Sequence, residues 1–143
     1  MTKQRVHKLE FATLHDSICS AIHPFEKDII IEFDDGFWVN GFDQNKKYID
    51  TYRSYESKVR IVEISKVRVL TSNHMNLSWE DLIESVNEGR IRLEFLAELR
   101  EEKETILKCD ILRNNQENET IFIRFECKRI VKTFKKADYS RVW

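Results

Sequence analysis

The stretch that determines the fold is Ile91-Arg92-Leu93-Glu94-Phe95-Leu96-Ala97-Glu98-Leu99, in which Ile91, Leu93, Phe95, Ala97 and Leu99 alternate with the charged residues Arg92, Glu94 and Glu98. A period of two is typical of a strand with one buried face and one wet face. Two more alternating stretches follow, Leu107–Ile111 and Ile121–Cys127, after the polar segments Arg100–Glu104 and Arg113–Glu119. Three consecutive strands joined by polar loops predict an antiparallel meander.

A helix is predicted immediately before this stretch, near Ser78 to Glu88. Ser78 and Asp81 have the spacing of a capping box. Hydrophobic residues then follow at i, i+3, i+4 and i+7, namely Trp79, Leu82, Ile83 and Val86. Gly89 stands where a C-terminal cap is expected, and the hydrophobic period changes to two after it.

Further strands are predicted in the first half of the chain. Ile29–Phe33 alternates and is followed by Asp34-Asp35-Gly36 and Phe37-Trp38-Val39. An Asp-Gly pair between two β-prone runs predicts a hairpin. The β-branched stretch Val59–Leu70 changes phase near Ser65, which predicts a bulge or bend in one long strand.

The segment Thr13–Pro24 fits two interpretations, and its pattern does not choose between them. Leu14, Ile18 and Ile22 are spaced for a helix face, with Thr13 and Asp16 as a possible capping box. Ile18, Ser20 and Ile22 equally fit the alternation of a strand. Pro24 is able to end either element.

Length and composition predict one α+β domain over residues 1–143. The 143 residues are 41% hydrophobic and 34% charged, which suits a globular chain with extensive solvated faces. Only three glycines and one proline are present, so Gly-rich phosphate loops and flexible linkers are excluded. The predicted architecture is a curved antiparallel β-sheet carrying one or two helices on one face.

The cysteines and the N-terminal residues predict a cytoplasmic protein. Cys19, Cys109 and Cys127 form an odd set without Cys-x-x-Cys spacing, so we interpret them as reduced core residues. Met1 leads into the polar residues Thr2–Arg5 without an apolar signal core. The longest strongly apolar run, Ile29–Ile31, is far too short to span a bilayer.

No catalytic, metal or cofactor site is predicted. The pair His15-Asp16 resembles part of a metal site, but three convergent ligands are needed and the spacing of His7, His15 and His23 does not provide them. We therefore interpret His15 and Asp16 as forming a local turn or cap. The acid pairs Asp34-Asp35 and Glu101-Glu102 fall in predicted turns, where solvated carboxylates are common. The chain is accordingly predicted not to be an enzyme.

Charge is distributed unevenly although the net charge is only −1. Glu26–Asp50 contains seven acids and three lysines, together with five aromatic residues, and a sixth, Phe25, directly precedes it. Arg124–Trp143 contains seven bases and two acids. An acidic, aromatic-rich surface suits a basic protein partner. The basic end supports an alternative function, a nucleic-acid-binding or regulatory module in which rings stack on bases and cations follow phosphates. The residues of that alternative are Phe134, Tyr139 and Trp143 with Lys132, Lys135, Lys136 and Arg141.

The N-terminal run Leu14-His15-Asp16-Ser17, followed by Ile18, Ile22 and Ile29–Phe33, resembles the opening of small bacterial proteins encoded in polymorphic-toxin loci. Several of these are thought to be immunity proteins, including one against the wall-associated toxin WapA of Gram-positive bacteria. The resemblance covers about 20 residues well and the remainder only by element order. It implies a strand over Ile18–Ile22 and a non-catalytic inhibitor of one cognate toxin domain. It implies no particular binding surface.

A binding surface is instead predicted from charge. Toxins that cut nucleic acid tend to be basic around the active site because they hold phosphates. An inhibitor of such a toxin gains association rate from acids and affinity from aromatic anchors. The predicted partner contacts are Asp34, Asp35, Trp38, Asp43 and Tyr48.

Overall fold

The computed structural model describes residues 9–71, 77–114 and 116–135. Strands account for 64% of this part of the chain, and its one helix is short. The strands are β1 (Leu9–Thr13), β2 (Ser17–Cys19), β3 (Ala21–Phe25), β4 (Asp28–Phe33), β5 (Trp38–Phe42), β6 (Tyr48–Arg53), β7 (Tyr55–Val62), β8 (Lys66–Thr71), β9 (Arg92–Glu101), β10 (Glu104–Leu112), β11 (Glu119–Glu126) and β12 (Arg129–Lys135). The helix α1 (Trp79–Asn87) lies between β8 and β9.

The strands form three antiparallel sheets rather than one. A five-stranded sheet has the order β2-β9-β10-β11-β8, a four-stranded sheet has the order β12-β7-β4-β3, and a three-stranded sheet has the order β1-β5-β6. The predicted meander is confirmed, because β9, β10 and β11 are neighbours paired in antiparallel register. The described residues are mostly β-strand with a single helix, so the α+β prediction is confirmed for the antiparallel strand pairing and for the helix near Ser78, but not for a mixed α+β composition.

One hydrophobic core joins the sheets. Residues from the inner faces of the four- and five-stranded sheets belong to the same buried cluster. Phe33 of β4 meets Phe95 of β9 with ring centroids 5.2 Å apart in an edge-on arrangement. Cys19, Cys109 and Cys127 are buried, unpaired members of this cluster, as predicted. Burial raises the pKa of the Cys19 thiol to about 12 and also raises that of Cys109.

The helix has the predicted position and caps. The Ser78 hydroxyl accepts a hydrogen bond from the Asp81 backbone N–H at 3.1 Å, and Gly89 follows the helix with φ +75°. Leu82 and Val86 enter the core. The Asn87 amide accepts from Ile22 N–H and donates to Ile22 C=O, both at 2.8 Å. This side chain therefore joins the helix end to the outer edge of β3.

The predicted hairpin at Asp34-Asp35-Gly36 is wrong. β4 pairs with β3 and β7, whereas β5 pairs with β1 and β6, so the turn carries the chain from one sheet to another. Gly36 has φ +71°, and a Cβ there would lie 1.9 Å from the Ser54 carbonyl oxygen. Because glycine has no Cβ, the backbone at Gly36 can approach the backbone at Ser54 closely, and the Asp-Gly pair alone does not predict that contact.

The change of phase near Ser65 is likewise a passage between sheets. It separates β7 in the four-stranded sheet from β8 in the five-stranded sheet. Ile64 N–H donates to Lys27 C=O at 2.7 Å, and Ser65 N–H donates to Glu126 C=O at 2.9 Å. The local interruption was predicted, but one long strand was not the correct interpretation.

A bulge in β9 changes the faces of its second half. Phe95 pairs with Cys109 while Ala97 pairs with the adjacent Lys108, so Leu96 is the extra residue. Ala97 and Leu99 consequently lie on the outer face, which corrects their predicted burial. Glu98 takes the inward position instead, where it pairs with Lys132 of β12 at 2.5 Å.

The segment Thr13–Pro24 contains strands β2 and β3 and no helix. A turn precedes them, closed by a hydrogen bond from Ser17 N–H to Leu14 C=O at 3.0 Å, with Asp16 at φ +59°. His15 Nδ1 lies 2.7 Å from the Leu96 carbonyl oxygen at the bulge. The local turn predicted for His15 and Asp16 is therefore confirmed. No helix of the described residues is long and apolar enough to cross a membrane.

Candidate functional site

Four aromatic side chains share the outer face of the three-stranded sheet: Phe11, Trp38, Phe42 and Tyr48. We call this surface the aromatic face. The strand register accounts for it, because Thr13 pairs with Trp38 and Leu9 pairs with Phe42, so alternate residues of β1 and β5 point the same way. A bulge between Gly41 and Phe42 brings Tyr48 of β6 opposite Phe42.

The rings are exposed yet ordered against one another. Phe11 is 58% exposed, Tyr48 61% and Trp38 39%. Phe42 meets Phe11 at 5.6 Å and Tyr48 at 6.1 Å between ring centroids, both edge-on. These are preferred aromatic geometries, so the rings stabilise each other while remaining accessible.

Trp38 carries a cation on its ring. The guanidinium carbon of Arg53, its partner across β5 and β6, lies 5.1 Å from the indole centroid. Arg53 Nε also donates to the Asp35 carbonyl oxygen at 2.7 Å. Partial burial lowers the pKa of Arg53, and the charges of Asp35 and Asp16 oppose that shift. Arg53 therefore fixes the indole and the acidic turn relative to each other.

The reverse side of the sheet is anchored in the core. Val39 is fully buried, and Ala12 and Tyr52 pack against the core cluster. Between the rings, the Tyr48 hydroxyl lies 2.7 Å from Thr51 Oγ1, which donates to Asn40 Oδ1 at 2.8 Å. The aromatic face is thus a supported surface, so binding a partner would order few side chains.

Two of the predicted contact acids flank the Trp38 end of the aromatic face. Asp34 and Asp35 form the exposed turn that leads into β5, and Gly36 N–H closes it by donating to Phe33 C=O at 2.9 Å. Asp16 contributes a third exposed carboxylate near Arg53. We call Asp16, Asp34 and Asp35 the acidic rim.

The predicted contact Asp43 has a structural role at the opposite end. Its carboxylate accepts hydrogen bonds from Asn45 N–H at 2.8 Å and Lys47 N–H at 2.9 Å. These bonds shape the turn between β5 and β6. Lys46 and Lys47 lie in the same turn, so this end of the sheet is not acidic.

The basic C-terminal segment is partly engaged within the molecule. Phe134 packs on Phe37 with centroids 5.6 Å apart, and Lys132 binds Glu98 and the Ala12 carbonyl oxygen. Lys135 pairs with Glu56 at 2.5 Å. Lys136, Tyr139, Arg141 and Trp143 of the predicted nucleic-acid surface lie outside the described residues.

The candidate catalytic and metal residues are dispersed. Asp34-Asp35 lies in the turn between β4 and β5, whereas Glu101-Glu102 lies at the turn between β9 and β10. His15 Nε2 lies 3.2 Å from Asp16 Oδ2, and neither belongs to a larger ligand group. Within residues 9–71, 77–114 and 116–135, no three His, Cys, Asp or Glu residues converge as metal ligands do.

Sequence reasoning missed Phe11 and Arg53, because strand pairing brings them to Trp38 from other segments. The alternation of Leu9, Phe11 and Thr13 with Glu10 and Ala12 was the available signal for Phe11.

Comparison of the chain with protein-family models, curated protein sequences and solved structures finds no match.

Proposed function

We propose that this chain is a non-catalytic immunity or inhibitor protein that binds a basic, nucleic-acid-cleaving toxin domain in the cytoplasm and masks its active site. The observation that carries the proposal is the aromatic face with its acidic rim. The resemblance of Leu14–Ser17 and the strands after it to immunity proteins supports the same function. The predicted contacts Asp34, Asp35, Trp38 and Tyr48 fall on or beside this surface, and Asp43 shapes its far turn.

Exposed aromatic rings on a supported sheet favour protein binding over other uses. Tryptophan and tyrosine are enriched among the residues that contribute most to interfaces, and they lose little conformational freedom on binding. Trp38 is already oriented by Arg53, and Tyr48 by Thr51. A partner that covers these rings gains contact area without first ordering them.

The acidic rim supplies the preference for a basic partner. Asp16, Asp34 and Asp35 are exposed, so their charges act on a partner during encounter. A nuclease domain presents cations where it holds the phosphates of its substrate. Occupation of that basic cleft excludes the nucleic acid, and inhibition requires stoichiometric binding rather than turnover.

The test is to read the genes adjacent to this one for a toxin with a nuclease domain, and to measure inhibition of that domain by the wild-type chain and three variants. Trp38→Ala should speed dissociation and weaken binding by about 2 kcal/mol or more. Asp34→Asn/Asp35→Asn should slow association at low salt and flatten its salt dependence. Phe25→Ala is the matched control, because Phe25 is also an exposed ring beneath an arginine, with Arg60 at 6.0 Å, but lies on the four-stranded sheet.

Melting temperatures measured in parallel separate binding from folding. The proposal requires Trp38→Ala to lose inhibition while remaining folded. Equal inhibition by Trp38→Ala, Phe25→Ala and the wild-type chain would contradict the aromatic face as the contact surface. Binding of the wild-type chain to RNA or DNA, with no effect on the nuclease, would instead favour the nucleic-acid-binding alternative.

A further inference from the structure

The three-stranded sheet ends in an edge strand, β6, that lies beside the aromatic face. Its order is β1-β5-β6, so within the described part of the chain β6 pairs with β5 alone. Ser54 N–H, directly after β6, donates to Phe37 C=O at 3.0 Å. Hydrogen-bonded and non-hydrogen-bonded pairs alternate along an antiparallel ladder, so Tyr52 also faces β5, whereas Thr51 and Arg53 direct their backbone groups outward. We call the outward N–H and C=O groups of Thr51 and Arg53 the β6 edge.

The opposite edge of the same sheet is engaged by a side chain. The alternation that turns Thr51 away from β5 directs the backbone of Asn40 towards Phe11 of β1. Ala12, the next residue of β1, therefore points outward. Its carbonyl oxygen accepts a hydrogen bond from Lys132 Nζ at 2.7 Å. This contact agrees with the alternation and satisfies an outward carbonyl group of β1.

The remaining edge strands carry features that discourage pairing. Asn87 occupies the N–H and C=O groups of Ile22 on β3, both at 2.8 Å. β2 has only three residues, and β8 and β12 contain lysines. Short strands and lysines are common means by which proteins protect a sheet edge. β6 has six residues with neither lysine nor proline, and its one base, Arg53, lies over the Trp38 ring. Among the described strands, β6 is thus the edge best suited to pair with another chain.

The surroundings of the β6 edge specify a basic, extended occupant. The acidic rim of Asp16, Asp34 and Asp35 lies at the Arg53 end. At the other end of β6, the exposed Tyr48 ring belongs to the aromatic face. A strand added to β6 places every second side chain on the outer side of the sheet, in line with these groups. Charge complementarity therefore selects a segment with cations beside the acidic rim and an apolar side chain beside Tyr48.

We propose that an extended, basic segment of the toxin domain pairs with the β6 edge as a fourth strand of the three-stranded sheet. This inference rests on the proposed function and adds the mode of recognition to it. The β6 edge offers two N–H donors and two C=O acceptors, one of each from Thr51 and from Arg53. Main-chain hydrogen bonds to these groups supply affinity, and the neighbouring side chains supply specificity.

Amide hydrogen exchange of the full chain, alone and bound to the nuclease domain of the preceding test, measures the pairing directly. In the free chain, the amides of Thr51 and Arg53 should exchange rapidly, and that of Tyr52, which faces β5, slowly. In the complex, the Thr51 and Arg53 amides should exchange at least roughly tenfold more slowly. A complex that forms without protecting these two amides would overturn the inference and leave the proposed function intact.

Two substitutions at Thr51 separate its N–H group from its side chain. Thr51→Pro removes the outward N–H, which β5 does not use, whereas Thr51→Val keeps it and removes only the hydroxyl group that contacts Tyr48 and Asn40. Thr51→Pro should bind the nuclease domain roughly tenfold more weakly than Thr51→Val, because a carbonyl group of the partner loses its donor.

Melting temperatures of both variants establish that they fold, and if Thr51→Pro does not, the exchange measurement on the wild-type chain decides. Weaker binding by Trp38→Ala, with equal binding by Thr51→Pro and Thr51→Val, would overturn this inference alone. Binding that neither Trp38→Ala nor Thr51→Pro weakens would refute the proposed contact surface as well.

Discussion

Replacement of Gly36 by alanine is the sharpest test of how the chain passes between sheets. The new Cβ would lie 1.9 Å from the Ser54 carbonyl oxygen, so the crossing strands must separate. That separation would break two hydrogen bonds of 3.0 Å, one from Phe37 N–H to Ser54 Oγ and one from Ser54 N–H to Phe37 C=O. Ser54 is buried, so water cannot replace these two hydrogen bonds once they break.

The magnitude follows from these parts. An alanine held at positive φ costs about 1–2 kcal/mol, and two hydrogen bonds contribute about 1 kcal/mol each. Gly36→Ala should therefore lower the free energy of unfolding by about 3–4 kcal/mol. Gly89→Ala is the matched control, because Gly89 has φ +75° but no atom within 4 Å of the new Cβ. It should lose only about 1–2 kcal/mol.

Urea unfolding followed by tryptophan fluorescence measures both variants against the wild type. The difference between the two alanine variants isolates the cost of the close approach, since the backbone conformation is shared. Equal losses for Gly36→Ala and Gly89→Ala would refute the crossing as a tightly packed contact.

Three further predictions concern stability. Asn87→Ala should lower the free energy of unfolding by about 2 kcal/mol, and Asn87→Asp by less, because only the alanine removes both bonds to Ile22; equal losses in urea unfolding would contradict this. Lys132→Ala should lower the free energy of unfolding by about 2 kcal/mol, because Glu98 and the Ala12 carbonyl oxygen lose their contact with the lysine. Adding Glu98→Gln should recover part of that loss, and a further loss in the double variant would argue against the ion pair. Cys19 has a folded pKa of about 12 against 9.0 unfolded, so its stabilising contribution is complete below pH 9.0 and declines as pH rises towards 12. The free energy of unfolding should fall by up to about 1.4 kcal/mol per pH unit for this thiol, and Cys19→Ala should flatten that slope in urea titrations at successive pH values; an unchanged slope would show that the thiol is accessible to solvent in the folded state.

The elements predicted correctly from sequence are those whose signals are local. The helix was predicted from the cap at Ser78 and the terminating glycine Gly89, and the meander from the alternation before and after Lys103. Each of these signals acts within a few residues. Gly36 shows the limit. An Asp-Gly pair predicts a tight turn both in a hairpin and in a passage between two sheets. The residue that distinguishes them here, Ser54, is distant in sequence from Gly36, so the local sequence could not predict which of the two forms.

The candidate surface was predictable to the same extent. Trp38 and Tyr48 lie on neighbouring strands of one hairpin, so a single acidic, aromatic segment indicated them together. Phe11 joins them only through pairing of β1 with β5, and the acid Asp16 only through the turn that follows β1. Asp43 was selected for its charge, whereas the turn geometry uses its carboxylate for backbone hydrogen bonds.

The passages between sheets have a kinetic consequence. β2 near the start of the described chain pairs with β9, and β7 pairs with β12, the last strand of the described residues. The four- and five-stranded sheets are therefore completed only after distant segments have met, and such long-range pairing raises the contact order of the fold. Chains of this kind fold on the millisecond-to-second scale rather than in microseconds. β2, β8 and one edge of β7 remain unpaired until β9, β11 and β12 are available, so we expect the five-stranded sheet to form late, in a slow refolding step.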